Sequence, residues 1–280
     1  MQLRFILILF FFCSCQFQKN EIIAKETPTF SIVIHGGAGT ILKKNMSKEM
    51  EEKYINKLEE AIELGYKILK NGGSSQLAVE KTINVMENSP LFNAGKGAVL
   101  NFKGDVELDA SVMNGLTQDA GAISGSSKIK NPISAAIAVM ENSPHVMLSG
   151  SGADEFALTQ NLEIENNKYF ITERRLKSLK KVKSKETSAM LIDKEYLLIQ
   201  KYGTVGCVAL DQNGNISSGT STGGMTNKKW NRIGDAPIIG AGTYANNKTC
   251  GVSATGWGEF FIRSVVAHDI SALMEYKGLS

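Results

Sequence analysis

The chain has 280 residues, 42% of them hydrophobic, with 27 glycines and five prolines, a composition that fills a core and makes many tight turns and excludes a disordered polymer. Its formal net charge of +3 is near neutral for this length and excludes a globally basic nucleic-acid binder.

In chain order, one positive charge at Arg4 precedes an apolar run from Phe5 to Phe12. The run is too short to span a bilayer and fits a signal-peptide core; the other reading is a buried N-terminal strand. Ser14-Cys15 resembles the end of a bacterial lipoprotein signal, with Phe12 where leucine is usual. On that reading residues 1–15 are a leader, Cys15 is lipidated and becomes the first mature residue, and the protein is exported, either periplasmic or membrane-anchored. Only Cys207 and Cys250 then remain as ordinary thiols, too few for a disulfide framework. His35, His145 and His268 lie far apart, and no CxxC pair suggests zinc.

After a polar tether at 16–29, "FSIVIHGGAGT" reads as a strand entering a glycine loop. Met50, Tyr54, Leu58, Ile62 and Leu69 give residues 47–70 a helical spacing, ended by Asn71-Gly72-Gly73. A second helix is predicted from Ser74 to about Met86, with Leu77, Ala78, Val79 and Ile83 inward. Alternation from Val106 to Met113 predicts a strand, paired with Ala120–Ser124. Further helices are predicted from Asn131-Pro132 to about Met140 and from Ala153 to Gln160. Residues 161–202 read as a polar surface linker, whose basic run "RRLKSLKKVKSK" at 174–185 reads as a solvated face. Beyond it come a hairpin, Val205–Leu210 and Ile216–Gly219 around Asn213-Gly214, short strands near 237–241 and 249–255, and an amphipathic helix from about Glu259 to Tyr276. That last helix offers Phe260, Ile262, Val265, Val266, Ile270 and Leu273 to the core. The order of elements suggests a layered α+β body in one domain.

The junction Gly203-Thr204 admits two readings: a plain loop-to-strand boundary, or a bond built to be cut. An N-terminal threonine is a catalytic unit by itself, its hydroxyl the nucleophile and its α-amine the base. That amine has an unperturbed pKa of ~7.7–8.0, so a useful fraction is neutral at physiological pH. Inside a chain the amine does not exist, so the bond must break first. A glycine before the threonine tolerates the strained backbone that such attack needs.

The segments "GTVGCVALDQNGNISSGTSTGGMTN", "NRIGDAPIIGAGTYANN" and "GVSATGWGE", with the earlier "HGGAGT" and "PLFNAGKGAVLN…ELDASVM", resemble the plant-type asparaginase and isoaspartyl peptidase family from about residue 30 to the end. The resemblance implies an α+β, four-layer αββα sandwich of the N-terminal-nucleophile hydrolase type, made as one precursor. Self-cleavage between Gly203 and Thr204 would divide it into an α subunit (30–203, with linker 161–202) and a β subunit (204–280) of one structural domain, and the cleaved αβ units would dimerise. It also implies hydrolysis of β-aspartyl dipeptides and L-asparagine without an organic cofactor. Thr204 would be the nucleophile and Thr222, also readable as a plain turn threonine, its hydrogen-bond partner. Arg232 would hold the substrate α-carboxylate and Asp235 its α-ammonium, although this pair also reads as a surface ion pair. The Thr255 hydroxyl and Gly256 N–H would form the oxyanion hole, Gly258 would line the pocket, and Asn93 would lie close to the nucleophile. Residues 35–39 would be a close-packed loop at the junction. The backbone carbonyls of Met86, Glu87, Ser89, Phe92, Ala94 and Lys96 would hold a structural sodium ion.

Two departures stand out. The family usually continues with further strands beyond the "TGxGE" helix, so a shortened sheet is expected here, and Trp230-Asn231 replaces small or apolar residues. Two other functions compete: a glycosylasparaginase, disfavoured by Gly223-Gly224 in "STGG" and by Glu259, and an inactive, shortened lipoprotein.

Overall fold

The structure, a computed structural model, describes residues 30–38, 46–188 and 203–279, excepting the side chains of 186–188. The expected leader, Cys15 and the tether lie outside these residues, as do Gly39 and positions 189–202 of the expected linker.

A six-stranded sheet runs in the order β1-β5-β6-β2-β3-β4. Its strands are β1 (Ser31–His35), β2 (Leu108–Asn114), β3 (Ala120–Ser126), β4 (Met147–Ser149), β5 (Val205–Leu210) and β6 (Ile216–Thr222). All pairs are antiparallel except β3 with β4. The β5–β6 hairpin closes where expected, with Gly214 at φ 80°. Asp211 Oδ1 accepts the amides of Asn213 and Asn215, while Oδ2 accepts the Ser75 amide and fastens the turn to the helix layer.

That layer comprises α1 (Lys48–Lys70), α2 (Ser75–Glu87) and α3 (Pro132–Asn142). Ser47 and Ser74 cap the first two, each accepting an amide of the first turn. Helix α2 lies on β5 and β6, and α3 on β2 and β3. The main core sits between them, with Val79, Ile83, Val112, Ile123 and Ile133 sealed from water. Leu77, expected inward, is 40% exposed. The other face of the sheet meets a two-stranded sheet of β7 (Thr243–Ala245) and β8 (Gly251–Ser253). Outside that pair lie α7 (Gly258–Ser264) and α8 (Val266–Lys277). The described residues thus stack helix, sheet, sheet and helix, as the resemblance implied.

Strand β6, "ISSGTST", explains its own hydroxyls through the two-residue period of a strand. Ser217 and Ser221 point to the helix layer, bonding Ser75 Oγ and Glu87 Oε1. Ser218, Thr220 and Thr222 point the other way, to the Val252 carbonyl, Ser253 and Thr204.

Four expectations need correcting. Within 161–202, most of the described part from 167 is helical: α5 (Asn167–Phe170) and α6 (Glu173–Ser188), with α4 (Gly150–Thr159) before them. Phe170 and Leu179 join a second core with Leu100, Val106 and Leu108. The basic run is also not wholly solvated. Arg175 is buried and donates to the Gly97 carbonyl; Arg174 donates to the Leu91 carbonyl and the Tyr54 hydroxyl. An arginine occupying one position of the buried stripe hides the helical period from a hydrophobicity pattern. Residues 237–241 form a turn, with the strand placed later, at 243–245. The last helix breaks at Val265 (φ 48°). Phe260, Val265, Ile270 and Leu273 are exposed, and α8 instead packs through small residues, Ala267 and Ser271.

Because Arg175 satisfies a buried carbonyl, Arg175→Ala in an uncut Thr204→Ala chain should lower unfolding stability by about 2 kcal/mol, measured by urea titration. A change below ~0.5 kcal/mol would mean that α6 contributes little to the fold.

Candidate active site

Thr204 stands at the head of β5, and its hydroxyl donates to Thr222 Oγ1 over 3.0 Å. Thr222 Oγ1 also accepts the Gly224 amide at 3.0 Å, so its remaining capacity points at Thr204. Behind the junction, Gly203 adopts φ 49° and its carbonyl accepts the Asn93 amide at 3.1 Å. The Asn93 side chain ties the same region together: Nδ2 donates to the Gly224 carbonyl and Oδ1 accepts the Val99 amide, each at 2.8 Å. Its own carbonyl accepts the Gly223 amide at 3.0 Å. One asparagine therefore fixes both the Gly203 carbonyl and the turn after Thr222.

The loop after β1 closes over this junction. A Cβ on Gly37 (φ 118°) would fall 1.9 Å from Gly203 Cα, so only glycine fits there. His35, at the start of the loop, is pushed below the ordinary imidazole pKa by burial and is neutral. Its Nε2 lies 3.1 Å from Ser253 Oγ, which contacts Thr220 Oγ1 at 2.7 Å.

Thr204 and Thr222 line a cleft together with Ala38, Arg232, Asp235, Thr255, Gly256 and Trp257. The sequence-expected residues Gly203, Thr204, Thr222, Arg232, Asp235, Thr255 and Gly256 thus meet in one place. Gly258 supports it from behind: a Cβ there would lie 2.8 Å from the Asp235 amide nitrogen and 2.9 Å from Asp235 Oδ1. Asp235 is buried, and burial lifts its carboxyl to about 6 against the opposing pull of Arg232. Its Oδ2 is buried without a hydrogen-bond partner among the described residues, an arrangement that a bound cation would relieve. Arg232 is not a plain surface pair with Asp235. Its Nε and Nη2 grip Glu259 Oε1 and Oε2, each at 2.9 Å. Glu259 as the holder of Arg232 escaped sequence reasoning, because 27 residues separate the two.

The loop from Met86 to Lys96 folds back on α2, the Lys96 amide donating to the Glu87 carbonyl at 2.7 Å. A Cβ on Gly95 would lie 2.4 Å from the Glu87 carbonyl oxygen, and one on Gly97 2.4 Å from that of Phe92. The Met86 and Glu87 carbonyls each already accept an amide, and the second lone pair of a backbone oxygen can still meet a hard cation. Among the described residues no group of three or more His, Cys, Asp and Glu is arranged to hold a metal. The Glu87 side chain acts elsewhere. Fully buried and lifted to about 7 by that burial, it accepts from Ser221 Oγ, the Ile133 amide and Asn131 Nδ2. It thereby joins the start of α3 to β6, one residue before Thr222.

Residues 28–280 match the sequence profile of the asparaginase family. The chain is similar to an isoaspartyl peptidase of Escherichia coli strain K12, 47% identical over 252 residues, covering 89% of this chain and 78% of that protein. It is also similar to an isoaspartyl peptidase/L-asparaginase of Xenopus laevis (43% over 244 residues; 87% and 75% covered). A protein of the same description from Danio rerio is 41% identical over 244 residues (87% and 76% covered).

A Gly37→Ala substitution should force Gly203 away and break its bond to Asn93. Amide hydrogen exchange at Asn93, in an uncut Thr204→Ala background, should accelerate by roughly tenfold or more. An unchanged rate would show that the loop yields and Gly203 does not.

Proposed function

Because the chain belongs to the asparaginase family, we propose that it is a self-processing amidohydrolase acting on β-aspartyl dipeptides and L-asparagine. What carries the reading is the Thr204–Thr222 hydroxyl pair in the cleft that also holds Arg232 and the unpartnered Asp235 oxygen. The glycosylasparaginase and inactive readings are not favoured, since these relatives are named for isoaspartyl peptidase or asparaginase activity.

In the uncut chain the Thr204 hydroxyl attacks the Gly203 carbonyl carbon, whose oxygen the Asn93 N–H already polarises. Collapse breaks the C–N bond, protonates the Thr204 nitrogen and leaves an ester between Gly203 and Thr204 Oγ1. Water hydrolyses the ester, giving a Gly203 carboxylate and a free Thr204, and so an α subunit (30–203) and a β subunit (204–280). The freed α-amine takes the hydroxyl proton in the next attack, now on the side-chain amide carbonyl of a substrate. Thr255 and Gly256 face the oxyanion; Arg232, steadied by Glu259, meets the α-carboxylate, and Asp235 the α-ammonium. Ammonia or an amino acid leaves with a proton, and water releases L-aspartate from Thr204. No organic cofactor enters any of these steps.

A sodium ion bound by the backbone carbonyls of Met86, Glu87, Ser89, Phe92, Ala94 and Lys96 would add local positive charge and rigidity to the loop that carries Asn93. Dimerisation of αβ units and export with a lipid on Cys15 are parts of the same proposal; the former rests on the family, the latter on the leader pattern.

Intact mass of purified protein after incubation should show two fragments, the smaller starting at Thr204, while Thr204→Ala stays whole. A single uncut wild-type mass would overturn the mechanism. The Asp235 ammonium contact requires a carboxylate, and its carboxyl titrates at about 6. Its acid form therefore dominates below that value, and kcat/KM for β-aspartyl dipeptides should decline as pH falls through it. Asp235→Asn should cost roughly 100-fold in kcat/KM at pH 7.5, measured by steady-state kinetics.

A further inference from the structure

On the face of β6 that carries Thr222, further hydroxyls continue away from the nucleophile and take no part in the mechanism above. Gly206 lies opposite Thr220 in the β5–β6 ladder and opposite His35 in the β1–β5 ladder. Thr204 and Gly206 share a face of β5, as Thr220 and Thr222 share one of β6. A Cβ on Gly206 would fall 1.9 Å from Ser253 Oγ and 2.2 Å from His35 Nε2. The imidazole and the serine therefore occupy the place that a side chain two residues from Thr204 would take. His35 Nε2 lies 3.1 Å from Ser253 Oγ, Ser253 Oγ 2.7 Å from Thr220 Oγ1, and Thr220 Oγ1 2.6 Å from Thr243 Oγ1. Ser111 Oγ is 2.7 Å from Thr243 Oγ1 and 2.6 Å from the Ala236 carbonyl oxygen. Ser111, Thr220 and Thr243 are sealed from water.

The carbonyl at the far end fixes the direction of the whole chain of bonds. A carbonyl only accepts, and each hydroxyl has a single hydrogen to give. Ser111 gives its hydrogen to Ala236, so Thr243 must give its own to Ser111. Thr220 must then give to Thr243, and Ser253 to Thr220. No hydrogen is left between Ser253 and the ring unless His35 Nε2 carries one. Contacts of Thr220 with the Gly242 carbonyl at 3.3 Å and of Thr243 with the Ala236 carbonyl at 3.4 Å are longer and do not displace these bonds. His35 is therefore the Nε2–H tautomer. Its Nδ1, buried without a hydrogen-bond partner among the described residues, holds a lone pair. One end of the chain rests on β5 beside Thr204, and the other holds the residue after Asp235.

We propose that His35 is a positioning residue, which through Ser253, Thr220, Thr243 and Ser111 sets the span between the nucleophile Thr204 and the segment of Asp235 that anchors the substrate. The inference rests on the hydrolytic function proposed for the cleft. That span decides whether the scissile carbonyl of an anchored substrate lies within reach of the hydroxyl. Bonds in a buried chain polarise one another, so the loss of one donor weakens those after it.

Ring ¹⁵N spectra of the uncut Thr204→Ala chain, with His35→Gln to identify the signal, should show Nε2 protonated and Nδ1 bare near neutral pH. A proton on Nδ1 in place of Nε2 would overturn the proposal without any need of maturation or turnover. In the matured fraction, His35→Leu and Thr220→Val should each lower kcat for β-aspartyl dipeptides by roughly 10- to 100-fold, with KM changed less. His35→Gln should recover most of the rate, since its amide nitrogen stands as many bonds from Cβ as Nε2 does. Reduced stability with kcat unchanged would make the chain a structural element only and sink the positioning role. Where His35→Leu or Thr220→Val stays uncut, the self-cleavage rate replaces kcat as the readout. His35→Gln must then cut, and its failure to do so counts against the proposal. If the parent chain neither cuts itself nor turns over, the hydrolytic function fails and the positioning role with it, while the tautomer still decides the direction of the chain.

Discussion

The register of β6 between β5 and β2 is the constraint on which the site depends. Ser221 lies opposite Val205 on one side, and Thr222 opposite Asp109 on the other. Alternate side chains leave the strand on opposite faces, so a slip of one residue would turn Thr222 toward the helices and Ser221 toward Thr204. Two sets of contacts hold the register at once. On the helix side Ser217 meets Ser75, and Ser221 meets Glu87; on the other, Ser218 and Thr220 bond to β8. A strand of plain apolar residues would pack as well but would tolerate slippage better. Hydroxyls left unpaired by a slip carry a desolvation cost, and that cost makes the register specific.

The cleft itself is arranged by charge more than by apolar contact. Arg232 faces the cleft but is held from behind by both oxygens of Glu259, which fixes a guanidinium that would otherwise sample many rotamers. Asp235 is treated differently: burial lifts its carboxyl, and one oxygen has no partner among the described residues. The proposed site for a zwitterion needs this asymmetry. The cation must be steady yet retain unused N–H groups, and the anion must be underserved, so that a substrate ammonium gains more by binding than water offered it. Such a carboxylate is costly to bury alone, and the guanidinium of Arg232 offsets part of that cost.

How much of this was legible in the sequence follows from the range of each interaction. Helices α1 to α3 and the two hairpins were readable because their signals are local: serine caps, an Asn-Gly turn, apolar spacing. The residues lining the cleft were readable through the resemblance, since each lies in a short contiguous motif. Helices α5 and α6 were not, because Arg175 replaces an apolar residue in the buried stripe and its partner is the Gly97 carbonyl, 78 residues away. The break at Val265 left no glycine or proline to announce it. Apolar spacing there suggested a buried face at Ile270 and Leu273, while the contact is made by Ala267 and Ser271, which carry almost no hydrophobic signal. The Arg232–Glu259 grip was invisible for a simpler reason. Charged residues look solvated in sequence, and only tertiary structure shows which ones have lost their water.

The uncut junction and the proposed mature site place different demands on one hydroxyl, and Asn93 and Gly37 reconcile them. Before cleavage Gly203 must be close enough for its carbonyl to be attacked, and Asn93 N–H holds that oxygen. Gly37, with no side chain to intervene, lets the loop close down on Gly203. After cleavage the new carboxylate is no longer bonded to Thr204, and the space beside the nucleophile can receive another carbonyl. Thr222, the Gly223-Gly224 turn and Arg232 need not move for this to happen, since the bonds described above that hold them do not run through Gly203. On the proposed mechanism the groups that position the threonine are therefore shared between the two reactions, whereas the oxyanion donor would change from Asn93 to Thr255 and Gly256. On this account a substitution at Asn93 weighs first on maturation and one at Thr255 on turnover. Maturation and turnover, as proposed, would thus be separable although one nucleophile serves both.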